Sequence, residues 1–432
     1  MLIFRELSYR ERLENSLLEN LLELPLKILF VDDEPLILES MRTMLRRQRR
    51  RWAMEFVDCP VRASELLLSN PNKFDIVISD MKMPKKDGVS VLETTKKSQS
   101  TAVRIMLSGY SDQNEILRAI PVTHQFLGKP CDKSHLVDTL KRCEQLQEST
   151  IPTNFRTQLH REAALSADAT PHEKFRESLS NCHSETLNFI LSHNPALAAK
   201  LLQLVSSSFF GMPKTLFDPF DAIDHLGNEI MATLAQSKVL ADPIKENRPN
   251  THQYLTNFER CSNFIADFSQ EICQQQNIPA QPRVNGLLSC IGLLPYLRKF
   301  VMDTKEKGEQ PGFPTLSISQ VLEASHYLLT LWGLPTELTS IYQTIATNKS
   351  GPIIEKPELY VTHLSLLTVI ETMTKWSKKH HHLCMLAQVE TQEHIQNFDS
   401  WYKTQLGKKS LADWQKVCED IIGAKLAESN RE

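Results

Sequence analysis

The chain has 432 residues, 41% of them hydrophobic and 23% charged, with 13 glycines and 22 prolines. That length exceeds one ordinary core and that composition excludes a largely disordered chain. The formal net charge of −3 gives no global attraction to nucleic acid or anionic lipid, so any such contact needs a local basic patch. Nine cysteines are scattered without a CxxC pair, which reads as reduced thiols in cytoplasm. The start, Met1 to Glu6, meets an arginine and a glutamate before a signal-peptide core can form. Apolar runs elsewhere break within about ten residues, short of the ~20 that span a bilayer. A soluble, cytoplasmic protein is expected.

Residues 1–24 place Leu13, Leu17, Leu21 and Leu24 on one helix stripe, an amphipathic extension. Packing on the neighbouring domain is the plain reading, and a homodimer or partner contact is the alternative. From Lys27 the texture changes to short apolar runs: Ile28 to Val31, Phe56-Val57, Ile76 to Ile78, Val103 to Leu107 and Gln125 to Leu127. Helical patterns such as Pro35 to Arg50 and Val61 to Leu68 lie between them. Alternating strand and helix demands a parallel sheet with helices on both faces, whose ligands sit at the carboxyl ends of the strands.

The chemistry-bearing residues fall at those ends. Asp32 and Asp33 end the first run, Asp80 the third, Ser108 the fourth and Lys129-Pro130 the fifth. Three carboxylates at one edge repel one another, and a hard divalent cation with oxygen ligands, Mg²⁺ above all, relieves them. A metal between carboxylates, a hydroxyl and an ammonium suits a transferring phosphoryl group, with Asp80 as nucleophile.

In the order and spacing of the acidic pair, the Asp-x-x-x-Pro turn (Asp80 to Pro84), Asp87-Gly88, Ser108-Gly109 and Lys129-Pro130, this stretch resembles the receiver domain of two-component response regulators. The resemblance implies a flavodoxin-like (βα)5 fold over 25–147, with Asp80 accepting phosphate. It implies Mg²⁺ held by Asp33, Asp80 and the Lys82 carbonyl, with Asp32 supporting it through water. Ser108 and Lys129 would grip the phosphoryl oxygens, and Phe126 would be the aromatic switch. Each residue alone also reads as a strand-end cap; five coincident positions favour the active site.

Arg46, Arg47, Arg49, Arg50 and Arg51 form the most basic run. They sit where cations complement the end of the first helix and carry no interleaved aromatic apart from Trp52, so we read a solvated helix end rather than a nucleic-acid patch.

Residues 148–154 are polar with a proline and read as a linker. From 155 to 432 the periodicity is helical almost throughout, an all-α region with buried helices at Ala196 to Val205 and Leu364 to Met373. His193 to Leu197 running to Gly211, Ala222 to Gly227, and Leu331 to Pro335 resemble the HDOD output domain, most clearly over 155–350. HDOD domains are relatives of HD phosphohydrolases, whose metal site needs histidines and aspartates. Here Ser289 and Cys290, in Gly286 to Gly292, stand where the His-Asp pair belongs, and Cys261 stands at the upstream histidine. Two small residues filling the pocket account for the cysteines better than a thiolate metal pair does, so no cofactor is expected in this domain. His380, His381 and His382 point in different directions on a helix and read as a solvent-facing run. Trp401, Tyr402 and Trp414 belong to further helices closing the core.

The resulting expectation is a response regulator phosphorylated on Asp80 by a sensor histidine kinase. Its output would be non-enzymatic, acting on a downstream signalling protein by contact, with neither membrane nor nucleic acid as partner. The competing readings are an HD-type phosphodiesterase or phosphohydrolase, acting for example on cyclic di-GMP, and a nucleic-acid-binding output.

Overall fold

The computed structural model describes residues 25–109, 113–162, 165–167, 190, 193–207, 219, 242–243, 251–278, 282–298, 300, 315–347, 357–380, 385–401 and 410–429. The extension at 1–24, the stretches 208–211 and 222–227, His381, His382 and Tyr402 lie outside them.

Strand β1 (Leu26–Val31) is nearly continuous in apolar residues, and all but Lys27 are buried, as a strand covered on both faces requires. It lies between β2 (Trp52–Val57) and β3 (Ile76–Asp80), followed by β4 (Val103–Ser108) and β5 (Gln125–Gly128). The order is β2-β1-β3-β4-β5 and every pair is parallel. Crossovers are supplied by α1 (Pro35–Met44), α2 (Pro60–Ser69), α3 (Gly88–Ser98) and α4 (Gln113–Ala119), and α5 (Lys133–Gln145) closes the unit. Pro35 and Pro60 open their helices, where a missing N–H costs nothing. The Asp87 carboxylate caps α3 by accepting from Ser90 N at 2.9 Å.

The first helix is shorter than the expected Pro35 to Arg50. It stops at Met44, and a 3₁₀ turn at Arg46–Gln48 carries the chain round to β2. The turn is needed because the buried Trp52 must reach the sheet, and Glu144 draws it there by accepting from both Arg51 Nε (2.7 Å) and Trp52 Nε1 (3.2 Å). All five arginines of the run are exposed.

The stretch expected as a linker is ordered. Helix α6 (Thr153–Arg161) starts inside it, and Phe155 stacks on Tyr296 at 3.7 Å. Glu323 accepts from the Thr150 amide (2.8 Å) and from the Ser149 hydroxyl (3.0 Å). The polar residues that suggest a linker are thus spent on one carboxylate of the second domain.

That domain is helical: α7 (Pro195–Val205), α8 (Thr251–Gln276), α9 (Arg283–Leu288), α10 (Ile318–Leu331), α11 (Thr336–Thr347), α12 (Pro357–His380), α13 (Gln392–Trp401) and α14 (Leu411–Ser429). Asn194 caps α7 with a 2.9 Å bond from Leu197 N, and the whole of α7 is buried. α8 packs on α9 and α12, and α10 on α11. Two short parallel pairs, Ser166–Ala167 with Asp242–Pro243 and Leu316–Ser317 with Val389–Glu390, add to the expected helices by tying segments distant in sequence. The buried apolar residues form one cluster from Leu26 to Ile422, so the two domains share a core. No described helix is long and apolar enough to cross a membrane.

Gly88 is fixed by the backbone it touches, since a Cβ there would lie 2.0 Å from the Asp80 carbonyl oxygen. Gly88→Ala is therefore expected to cost about 3 kcal/mol by forcing β3 and α3 apart. Urea denaturation followed by circular dichroism measures this, and an unchanged midpoint would refute the close approach.

Candidate phosphoacceptor site

The sheet order brings the carboxyl ends of β1, β3, β4 and β5 to one edge, and the expected acids meet there. One oxygen from each of Asp32, Asp33 and Asp80 lies within 4.8 Å of the other two. Asp32 is fully buried, Asp80 is 7% exposed and Asp33 is intermediate. The Lys129 ammonium enters from β5, 2.7 Å from Asp32 Oδ2 and 2.5 Å from Asp80 Oδ1. Backbone amides hold the remaining oxygens, Glu34 N donating to Asp32 Oδ1 and Lys82 N to Asp80 Oδ2, each at 3.0 Å.

Burial raises the pKa of Asp80, and the Asp32 charge adds to that, while Lys129 and the Lys82 amide pull it back without cancelling the shift. Burial pulls the Lys129 ammonium down, but its bonds to Asp32 and Asp80 outweigh that and raise it. An all-carboxylate donor set with one buried counter-ammonium fits a hard divalent cation such as Mg²⁺. Asp32, Asp33 and Asp80 are the residues that would hold it.

Lys82 brings its backbone to the site, whereas its side chain turns outward to Glu115 at 3.2 Å. Ser108 ends β4 beside Gly128 of β5. Its hydroxyl lies 3.0 Å from the Gly109 carbonyl and 3.6 Å from Met81 Sδ. Phe126 pairs with Met106 in the β4–β5 ladder and is 4% exposed.

Two ion pairs near the site escape sequence reasoning. Glu115 and Arg118 of α4 bind Lys82 and Asp87, the latter at 2.8 Å, and so clip α4 to the loop after Asp80. Met81, Met83 and Val89 line the groove of about 350 Å³ that these pairs border. The only signal was the i, i+3 spacing of Glu115 and Arg118.

The second domain holds in its core the three positions expected to stand in for HD ligands. Cys261 of α8 and Ser289 and Cys290 after α9 are all 0% exposed. The Ser289 hydroxyl donates to the Gly286 carbonyl at 2.7 Å. Ser325 of α10 bonds the Ser289 carbonyl (2.8 Å) and accepts from Gly292 N (2.9 Å). Among the described residues, the three aspartates are the one His/Cys/Asp/Glu group with ligand atoms gathered closely enough for a metal. The structure thus draws Asp32, Asp33, Asp80 and Lys129 into one site with Ser108 at its rim, and leaves Cys261, Ser289 and Cys290 in a separate core.

Comparison with known proteins agrees with this division. The response regulator receiver domain family matches residues 28–141 and the HDOD domain family residues 177–347. The hydrogenase transcriptional regulatory protein HoxA of Cupriavidus necator is 30% identical over 122 residues, 28% of this chain and 24% of that protein. The two-component response regulator ARR10 of Arabidopsis thaliana is 37% identical over 95 residues, 22% of this chain and 17% of its own. The sensory transduction protein LytT of Bacillus anthracis is 29% identical over 127 residues, 29% of this chain and 50% of its own. Each match spans half or less of the relative's length. Among solved structures, the signal receiver domain of an HD domain-containing protein from Pseudomonas fluorescens Pf-5 is 28% identical. It covers 29% of this chain and 98% of its own, with a TM-score of 0.27. The chain thus carries a response regulator receiver domain over residues 28–141 and an HDOD domain over residues 177–347.

Proposed function

We propose that Asp80 accepts a phosphoryl group from a sensor histidine kinase and that the HDOD domain answers by binding a downstream protein in the cytoplasm, without catalysing a reaction. The observation that carries the first half is Lys129, whose ammonium bridges Asp32 and Asp80.

An Asp80 oxygen attacks phosphorus, its O–P bond forming as the N–P bond to the donor imidazole breaks and the imidazole recovers its proton from solvent. The Lys82 amide holds Asp80 Oδ2, leaving Oδ1 and Lys129 at the approach side. Bound Mg²⁺ would neutralise charge on the phosphoryl oxygens, the part a buried site cannot leave to water. Once the phosphoryl group is on Asp80, Lys129 pairs with one of its oxygens. Ser108 gives up the Gly109 carbonyl to donate to another, and the β4–β5 ladder next to Phe126 follows.

The non-catalytic reading of the second domain is supported by Cys261, Ser289 and Cys290, which are small, buried and engaged in packing and backbone hydrogen bonds. An HD-type reaction needs imidazole and carboxylate ligands at those places with access for substrate.

Three outcomes test these readings. Acetyl phosphate with Mg²⁺ is expected to label the wild type, and neither Asp80→Asn nor chelator-treated protein; labelling that survives in the variant rejects Asp80. Asp32→Asn is expected to lower Mg²⁺ affinity about 10–100-fold by calorimetry, and an unchanged affinity would place the ion elsewhere. A screen of cyclic di-GMP and other phosphoesters is expected to show no turnover. Metal-dependent hydrolysis that disappears in Cys261→Ala or Cys290→Ala would make the output an enzyme.

A further inference from the structure

The receiver and the HDOD domain meet through polar groups that are buried and oddly charged. Arg104, the second residue of β4, is 2% exposed. Its guanidinium reaches the Val122 carbonyl (2.6 Å) and, across the junction, the His160 carbonyl of α6 (2.7 Å). His160 in turn faces Tyr327 of α10, Nε2 to hydroxyl 2.8 Å. From α7, Gln203 donates to the His124 carbonyl at 2.7 Å. On the other side of β5, Gln125 Nε2 donates to the Thr330 (3.2 Å) and Leu331 (3.0 Å) carbonyls, and Arg142 of α5 to the Leu334 carbonyl at 3.2 Å. The Thr330 and Leu331 carbonyls end α10 and Leu334 follows it, so Gln125 caps an HDOD helix and Arg142 places a cation just beyond the negative end of its dipole.

The groups around the two histidines weigh against a second proton on either ring. Donors of Arg104 face both ring nitrogens of His124, its amide 3.1 Å from Nδ1 and its guanidinium 2.7 Å from Nε2, which also lies 3.0 Å from the His160 carbonyl, so a doubly protonated ring would press an N–H against the Arg104 amide. The Ala102 carbonyl can only accept, so His160 Nδ1, 3.2 Å away, carries its proton and Nε2 takes one from Tyr327. A second proton on His124 would face the Arg104 amide, and one on His160 would have to turn the Tyr327 hydroxyl into an acceptor beside the Arg104 charge. The ionisable groups facing His124 are Arg104 of β4, His160 of α6 and Lys96 of α3. Arg104, Arg156 of α6 and Tyr327 of α10 face His160. The charged ones are all cations. Glu162, which faces Lys96, is already bound to Arg298 at 2.7 Å.

We propose that this junction is an acid-opened latch: protonating His124 and His160 undocks the receiver's β4–β5 edge from α7 and the C-terminal end of α10. Burial, then the Arg104 charge, holds His160 down to about 3 and His124 well below its usual value. An undocked imidazole takes a proton near 6.5. The proton is therefore bound by the open form at a pH where the closed form refuses it, so docking is intact above about pH 6.5 and weakens as pH falls through that value. Lys200 of α7, packed 4.8 Å over the Trp332 ring and lowered by burial to about 7, titrates on the alkaline side and adds no slope below neutrality. The device does not depend on Asp80 chemistry.

Small-angle scattering of the full unphosphorylated chain, with circular dichroism alongside, tests this between about pH 7.5 and pH 5.5. The radius of gyration is expected to rise on acidification while helicity stays constant. The opening constant should grow up to about 100-fold per pH unit, the slope for two imidazoles. Tyr327→Phe, which removes the hydroxyl paired with His160 Nε2 across the junction, is expected to open at higher pH. His124→Asn with His160→Asn is expected to lose the transition. Asp80→Asn is expected to respond as the wild type does, which separates this device from the phosphorylation reading. A constant radius overturns the latch, as does loss of helicity in step with the radius. So does a transition unmoved by Tyr327→Phe.

Discussion

One ammonium holds the acidic edge together. Lys129 stands 2.7 Å from Asp32 and 2.5 Å from Asp80, at positions that are only 18% exposed or less. Without it, three carboxylates gathered within 4.8 Å would have to protonate or spread apart. With it, two negative charges remain, which is the charge a divalent cation cancels. The arrangement follows from sheet order. β1 and β3 are neighbours, so Asp32 and Asp80 are forced together, and only a long side chain on β5 can reach both across β4. Lysine supplies that reach with a charge, and Gly88 lets α3 start hard against the Asp80 carbonyl without moving the acid.

β4 and β5 carry two sets of residues along one length. Their carboxyl ends hold Ser108 and Lys129, and their earlier residues hold Arg104 and Gln125, which bond the linker helix and the HDOD domain. Arg104 and Ser108 are four residues apart, about 13 Å along a strand. A shift of the Ser108 end is therefore a shift of the junction, because a strand hydrogen-bonded on both sides moves as a unit. The junction is also costly. Among the described residues, the Thr123 hydroxyl, Gln203 Oε1 and the Thr330 hydroxyl are buried there without hydrogen-bond partners, and the Arg104 guanidinium lies under cover on two carbonyls and the His124 ring with no carboxylate bonded to it. The domains also share an apolar core, and polar groups buried at this cost weaken the junction relative to apolar packing alone, which a signalling protein can use.

The acids, Ser108 and Lys129 were legible because strand-ending residues of a parallel sheet converge whatever the loops do, and their spacing resembles the receiver family's. The five strands were legible as apolar runs, although β2 begins four residues earlier than Phe56 because Trp52 starts it. The ordered junction was not. Polar residues 148–154 resemble a linker until Glu323, more than 170 positions away, is known to accept from Ser149 and Thr150. Gln125 and Arg142 read as ordinary surface residues of a strand and a helix, since their partners are backbone carbonyls with no sequence signature. Arg104 did carry a signal. A charged residue amid Val103, Ile105, Met106 and Leu107 has to be buried against something polar.

The substituted HD positions show how the second half of the molecule bears on the first. A metal site of imidazoles and carboxylates is expensive to bury and so needs ions and an opening to solvent. Cys261 and Cys290 pack as small apolar groups, and Ser289 satisfies its hydroxyl within its own turn through the Gly286 carbonyl. Ser325 then ties α10 to that turn through the Ser289 carbonyl and the Gly292 amide. α10 is the helix whose C-terminal end the receiver caps with Gln125, with Arg142 bonded just beyond it. The turn at Ser289 and the receiver interface thus touch the same helix, at its middle and at its C-terminal end. On the contact-based reading of the output, filling the pocket does not idle the domain; it stiffens the helix through which the receiver acts on it.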